Sequence, residues 1–185
     1  MPRRLKLRPA LAERLSKASS VREQSRMHAT VHQISISNGG VPKLPVPSAK
    51  VSLQGLEGDW QNDRKYHGGP DRAVCLFPLS LIELLNAEGH PIAPGTIGEN
   101  LTLSGVSVAN WAKLVPGSRL NFLAGVQLEV VSYSNPCSKI RNSFRDLEFL
   151  RVRDDLHPGQ SRLYSRVLKE GSIATGEAFA IEYAG

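Results

Sequence analysis

Apolar and polar positions alternate in short runs after residue 28, a pattern typical of β-strands. The β-branched run at residues 31–36 predicts a first strand, and residues 72–77, which are apolar from residue 73 onward, predict a further strand. Residues 120–122 and 126–130 predict a hairpin, and residues 178–183 alternate as a closing strand. Short strands separated by Gly- and Pro-rich turns favour a small, mainly β barrel over a parallel α/β sheet.

After residue 28, helical periodicity is confined to two segments. Residues 81–85 supply the apolar stripe of one helix, which Ser80 is predicted to cap and Gly89 to end. Residues 144–152 predict a second, weaker helix. We therefore expect a few peripheral helices beside the strands.

The net charge of the 185-residue chain, +6, is concentrated at one end. Residues 1–26 hold eight Lys and Arg against two Glu, so residues 27–185 are neutral. The sequence predicts a basic, disordered extension at 1–26, followed by a single domain at 27–185. A basic arm can serve nucleic-acid or membrane-surface binding, but we favour an extension that the domain does not need.

Several classes of protein are disfavoured by what the sequence lacks. No apolar run approaches the length of a membrane span, and no secretion signal is recognisable, so we expect a cytoplasmic protein. The chain has neither paired zinc-ligand spacings nor a phosphate-binding P-loop. It also lacks the aromatic platforms that single-strand binders use, so no nucleic-acid partner is expected.

A turn at residues 65–73 is the first candidate for chemistry. Gly68 and Gly69 allow a ligand to approach the backbone where a Cβ would collide. Lys65, His67 and Arg72 surround these glycines with cations and hydrogen-bond donors. Such a turn suits a phosphate group or the edge of a pterin.

Cys137 is the second candidate. Its neighbours Asn135, Ser138 and Lys139 are polar or basic, which is unusual for a buried structural cysteine. Basic surroundings favour the thiolate, which is both a nucleophile and a soft metal ligand. The other cysteine, Cys75, lies in an apolar run and is expected to be a buried structural residue.

Three further polar residues are assigned roles. The Asn100 amide has donors and acceptors that suit a pterin ring. Glu99 is expected to satisfy buried backbone amides, and Lys43 is expected to be exposed.

These segments together resemble a known family, the MOSC domain, which is named after the C-terminal domain of molybdenum cofactor sulfurases. The resemblance is carried, in this order, by Gly39-Gly40-Val41-Pro42-Lys43, His67-Gly68-Gly69-Pro70, Gly98-Glu99-Asn100-Leu101, Pro136-Cys137 and residues 171–177. It extends from about residue 29 to about residue 183. It implies a closed, Greek-key-like β-barrel with a few peripheral helices.

The resemblance also implies a function. The matching cysteine, Cys137, would receive sulfur or ligate molybdenum and would be the catalytic residue. The molybdenum cofactor (molybdopterin) would be bound by Lys65, His67, Gly68, Gly69, Arg72, Asn100, Asn135 and Lys139. The implied activity is reduction of N-hydroxylated compounds or delivery of sulfur and cofactor. A non-catalytic cofactor or sulfur carrier is the alternative, and the sequence leaves catalyst and carrier open.

The resemblance covers a MOSC domain alone, and this affects which partner proteins are expected. The extra N-terminal β-barrel of full reductases has no counterpart here, nor does the pyridoxal-phosphate-dependent desulfurase domain of the cofactor sulfurases. We therefore expect a separate electron- or sulfur-donor protein, besides the cofactor and a small-molecule substrate.

Overall fold

The computed structural model describes residues 29–60 and 68–185, whose regular structure is mostly β. The predicted extension at 1–26 lies outside the described residues. The strands are β1 (Ala29–Ile36), β2 (Leu44–Val46), β3 (Ser48–Ser52), β4 (Gly55–Leu56), β5 (Val74–Pro78), β6 (Leu101–Ser104), β7 (Arg119–Phe122), β8 (Gln127–Ser134), β9 (Arg162–Lys169), β10 (Gly171–Ala174) and β11 (Ala178–Glu182). The α-helices are α1 (Leu79–Ala87) and α2 (Val108–Trp111), and the 3-10 turns are η1 (Pro70–Arg72), η2 (Ser138–Ser143), η3 (Arg145–Leu147) and η4 (Phe149–Val152).

Seven strands close into a barrel, in the order β1-β6-β5-β9-β8-β7-β11. Closure comes from β11 pairing back onto β1, with Ala29 opposite Phe179. The β5–β6 pair is parallel, and the other pairs within the barrel are antiparallel. Strand β2 extends the sheet beside β1, and β10, β3 and β4 form a small separate sheet. The predicted closed, mainly β barrel is thereby confirmed.

The barrel interior is filled by aliphatic and aromatic side chains from almost every strand. Leu76, Leu103, Leu120 and Phe179 are all nearly inaccessible to solvent. Helix α2 adds Trp111, whose indole N–H donates to the Ser161 carbonyl at 3.0 Å. Burial of apolar surface on this scale stabilises the barrel and fixes the strand ends, where the loops carrying polar residues begin.

Most local predictions agree with these elements, and two are wrong. Ser80 does not cap α1, because the helix begins one residue earlier and the Ser80 hydroxyl donates to the Val106 carbonyl at 2.7 Å. The second helix is replaced by the 3-10 turns η3 and η4. Asp146 and Leu147 have φ of 55° and 61°, a left-handed conformation that a continuous α-helix cannot contain.

Candidate functional site

One cavity brings together four of the polar residues that the sequence singles out, namely Lys43, Asn100, Cys137 and Lys139. It has a volume of about 640 Å³, counted out to its open mouth. Its walls come from the segment after β1, the segment before β6, the turn after β8, and strands β5 and β9. The lining residues are Ser37, Gly40, Val41, Lys43, Trp60, Cys75, Ile97, Gly98, Asn100, Cys137, Lys139, Ile140, Arg162 and Tyr164.

Cys137 lies in the turn that follows β8, where it immediately precedes η2. Its backbone is extended, with φ of −125° and ψ of 164°, and its thiol caps no helix. The side chain is a partly exposed free thiol that lines the cavity. Lys139, two residues further, is exposed and lines the same cavity. The thiol and the ammonium group, two residues apart in the sequence, therefore line the same cavity.

The floor of the cavity is the outer face of β5 and β9. Cys75 on β5 lies directly opposite Tyr164 on β9, and directly opposed residues project to the same face of a sheet. Arg162 lies two residues before Tyr164 and so shares that face. Cys75 is 4% exposed, as predicted for a residue in an apolar strand. Burial raises the pKa of its thiol, against the opposing effect of nearby Arg162.

Asn100 is engaged by protein groups at both ends of its amide. Oδ1 accepts a hydrogen bond from the Cys75 backbone N–H at 3.1 Å. Nδ2 donates to the Ser35 carbonyl at 3.2 Å and to the Asp59 carboxylate at 2.8 Å. Asn100 thus lines the cavity, and its polar atoms are bonded to its neighbours there. Its role as a cofactor ligand stays a prediction.

The expectation that Lys43 is exposed is wrong. Its side chain is 8% exposed and forms an ion pair with Asp59, whose side chain is 3% exposed. Asp59 also accepts from the Ser37 backbone N–H at 2.9 Å. No local pattern predicts this pair, because the two residues are sixteen positions apart and each lies in a polar loop. The pair joins two loops at the cavity wall.

Arg162 is a charged residue of the cavity that the sequence did not predict. It is the first residue of β9 and is 6% exposed. Its Nη1 donates to the Ile97 carbonyl at 2.6 Å, and its Nε is buried without a hydrogen-bond partner among the described residues. A single arginine in an alternating strand is usually solvated, so no sequence signal distinguishes this one.

Glu99 lies beside the cavity and is inaccessible to solvent. Its Oε1 accepts from the Gly95 backbone N–H at 2.7 Å and from the Thr102 hydroxyl at 3.1 Å, which confirms the predicted structural role. Burial raises the pKa of Glu99, although the same hydrogen bonds and the charge of Arg162 act against that rise. The environment therefore favours its neutral form more than water does.

The basic Gly-Gly turn is only partly described. Gly68 and Gly69 precede η1, and Lys65 and His67 lie outside the described residues. Gly69 has a φ of 87°, and a Cβ there would meet no atom within 4 Å. The Arg72 guanidinium lies 5.8 Å from the centre of the Tyr164 ring, which lines the cavity. Arg72 therefore contacts the site through Tyr164.

Asn135 is separated from the other predicted residues. It is exposed and lines a second, shallower cavity together with Pro136, Tyr133 and Arg153. Within residues 29–60 and 68–185, no three His, Cys, Asp or Glu side chains cluster as a metal site would require. No helix in the described part of the chain is long and apolar enough to cross a membrane.

The chain was compared with known families and proteins. The model of the MOSC domain matches residues 63–180. Protein YflK of Bacillus subtilis (strain 168) is 33% identical over 143 residues, which are 74% of this chain and 60% of that protein. Protein YiiM of Escherichia coli (strain K12) is 44% identical over 97 residues, 43% of this chain and 42% of that protein. The chain thus spans less than two thirds of the length of either relative.

Solved structures support the same fold. The YuaD protein from Bacillus subtilis superposes with a TM-score of 0.69 at 18% identity, covering 85% of this chain and 97% of that one. YiiM from Geobacillus stearothermophilus gives a TM-score of 0.60 at 24% identity, covering 85% and 76%. At these identities the likeness concerns the barrel alone.

Proposed function

Because this chain belongs to the MOSC domain family, we propose that its cavity binds the molybdenum cofactor and that Cys137 supplies the sulfur that ligates the metal or carries a persulfide. The observation that carries the proposal is the placement of one partly exposed thiol in a cavity that also presents Lys139 and Arg162. A thiolate is the soft ligand that such a metal prefers, and the cations match an anionic cofactor.

The residues present fit such a cofactor. The unpartnered Nε of Arg162 marks hydrogen-bonding capacity that the described protein groups leave unused. Gly98 keeps the wall free of a side chain, since a Cβ there would lie 3.1 Å from Val41 and 3.5 Å from Arg162. These features support a polar, anionic occupant.

The chemistry divides between the cofactor and the protein. When bound, the cofactor would supply two-electron redox chemistry at its metal. Reduction of an N-hydroxylated compound takes up two electrons and two protons and gives the amine and water, so a separate donor protein must deliver the electrons. Cys137 would hold the metal, while Lys139 and the turn at residues 65–72 would orient the cofactor. Delivery of sulfur would use the same thiol without turnover of such a substrate.

Metal and pterin analysis of the purified chain tests the proposal. The protein would be produced in a host that synthesises the cofactor, and molybdenum and pterin would be quantified per chain. We expect molybdenum and pterin near one per chain for wild type, and loss of molybdenum in Cys137→Ser with at least part of the pterin retained. Cys75→Ser, the matched control, should retain both. Absence of molybdenum and pterin from the wild-type protein would refute the proposal.

Turnover then separates the two forms of the proposal. A loaded protein that reduces a hydroxylamine when an electron-donor protein is supplied acts as a reductase. A loaded protein that does not, but transfers cofactor or labelled sulfur to an acceptor, is a carrier. In both cases Cys137→Ser should abolish the measured activity.

A further inference from the structure

The guanidinium of Arg162 is a buried cation without a carboxylate partner among the described residues. The side chain is 6% exposed, and its one hydrogen bond within residues 29–60 and 68–185 goes to a neutral acceptor, the Ile97 carbonyl. Removing a charge from water is costly unless an opposite charge compensates it. No carboxylate among the described residues forms an ion pair with Arg162 to offset this cost.

The two acids nearest to the cavity do not serve as counter-ions. The Asp59 carboxylate is already bound by Lys43 and by the Asn100 amide. Glu99 accepts from the Gly95 N–H and the Thr102 hydroxyl, and within residues 29–60 and 68–185 it forms no ion pair with Arg162, although the charge of Arg162 acts on it from a distance. Lys43 is paired with Asp59, whereas Arg162 has no ion-pair partner among the described residues and so places a positive charge at the floor of the cavity.

The position of Arg162 shows what could neutralise it. The residue lines the cavity on the face of β9 that also presents Tyr164, beside Cys75. Since Nη1 is held by Ile97, the guanidinium is fixed in orientation before any ligand arrives. A fixed guanidinium fork matches an anion with two or three oxygens better than a halide or a single-point acceptor does.

We propose that Arg162 is the receptor for an oxyanion, a phosphate or carboxylate group, carried by the molecule that enters the cavity. The inference rests on the proposed function only in that it concerns the same cavity. It assigns to Arg162 a binding role at the floor, separate from that of the thiol at the wall. The anionic group belongs either to the cofactor or to the substrate, and the experiment distinguishes the two.

Phosphate titration of the full chain, purified from a host that makes no molybdenum cofactor, tests the proposal directly. The melting temperature would be measured against inorganic phosphate, with sodium chloride as the ionic-strength control. We expect the melting temperature of wild type to rise with phosphate concentration to a plateau. This rise should exceed the one measured in sodium chloride at the same ionic strength. The apparent phosphate affinity should fall at least tenfold in Arg162→Gln and less in Arg162→Lys. Arg119→Gln removes an exposed arginine on β7 and should behave as wild type.

A second measurement separates binding from support of the fold. Without phosphate, Arg162→Met should melt at or above the wild-type temperature, because it replaces an uncompensated buried charge with an apolar chain of similar length. Lower melting of Arg162→Met together with an unchanged phosphate response would show a structural cation and overturn the proposal. The proposal would also be overturned if phosphate raised the melting temperature of wild type no more than sodium chloride does.

Repeating the titration on cofactor-loaded protein identifies the source of the anion. If the cofactor's own phosphate contacts Arg162, the loaded protein should no longer respond to inorganic phosphate. If the substrate brings the oxyanion, the response should persist. An Arg162-dependent phosphate response in a chain that never acquires molybdenum would support the anion receptor while refuting the proposed cofactor.

Discussion

Asn100 forms hydrogen bonds to the backbone of Cys75 with both its side chain and its own backbone. Its Oδ1 accepts from the Cys75 N–H at 3.1 Å, while the Asn100 backbone N–H donates to the Cys75 carbonyl at 2.7 Å. Both groups of one residue in β5 are thus held by the residue that precedes β6. These two hydrogen bonds fix the position of β5, which forms part of the cavity floor, relative to the loop before β6, which forms part of the wall.

Replacement of Asn100 should therefore destabilise the whole domain. Asn100→Leu leaves the Cys75 N–H, the Ser35 carbonyl and one Asp59 contact without a partner, at about 1–3 kcal/mol for each buried group. We expect chemical denaturation to show a loss of about 3 kcal/mol or more. Asn110→Leu, at an exposed position on α2, should change stability by less than about 0.5 kcal/mol. Similar losses for the two variants would contradict this role of Asn100.

The two cysteines should differ sharply in reactivity. Cys137 is partly exposed at the cavity wall, whereas Cys75 is 4% exposed and burial raises the pKa of its thiol. Brief alkylation of the native protein by iodoacetamide near neutral pH should label Cys137 and leave Cys75 unmodified, as read by peptide mass spectrometry. Cys137→Ser should lose the rapid labelling, and Cys75→Ser should retain it. Faster labelling of Cys75 in the native state would refute the assignment.

The barrel was predictable because its signals are local. The alternation in residues 126–130 and 178–183 reflects one buried face, and β8 and β11 form where that alternation occurs. The failures have local causes too. The segment at residues 144–152 has helical periodicity, but its backbone turns left-handed at Asp146 and Leu147, which apolar spacing does not report.

Only those site residues that lie close together in the sequence were predictable. Cys137 and Lys139 stand together in the sequence, and both line the cavity. Arg162 and the Lys43–Asp59 ion pair depend on strand register and loop packing, which bring distant residues together. No short motif encodes such contacts, so sequence reasoning overlooked Arg162 and Asp59 and placed Lys43 in solvent.

Glu99 should make stability depend on pH in a definite direction. Burial raises the pKa of its carboxyl in the folded state, so the folded chain holds this proton more tightly than the unfolded chain does. The contribution of the protonated Glu99 carboxyl to the free energy of unfolding is fully present below the unfolded-state pKa of about 4.3. It is lost as the pH rises through the folded-state pKa. Glu99→Gln keeps a neutral acceptor for Gly95, so its stability relative to wild type should increase as the pH is raised above about 4.5.

The difference in free energy of unfolding between Glu99→Gln and wild type can change by at most about 1.4 kcal/mol per pH unit, because a single group titrates. Denaturation curves at several pH values between about 4 and 8 would measure it, with Glu57→Gln as an exposed control that should follow wild type. A difference between Glu99→Gln and wild type that stays constant with pH, or that reverses sign, would show that this carboxyl does not carry a raised pKa.

Gly98 should tolerate a methyl group less well than a glycine with the same backbone geometry elsewhere. Gly98 and Gly176 have φ of 88° and 85°, so an alanine at either carries a similar left-handed strain of about 1 kcal/mol. A Cβ at Gly176 meets no atom within 4 Å, whereas one at Gly98 lies 3.1 Å from Val41 and 3.5 Å from Arg162. Gly98→Ala should therefore lose more stability than Gly176→Ala in chemical denaturation and, unlike it, weaken the phosphate response. Equal effects of the two substitutions on stability and on phosphate binding would mean that the bare backbone at Gly98 serves the turn alone and not the cavity.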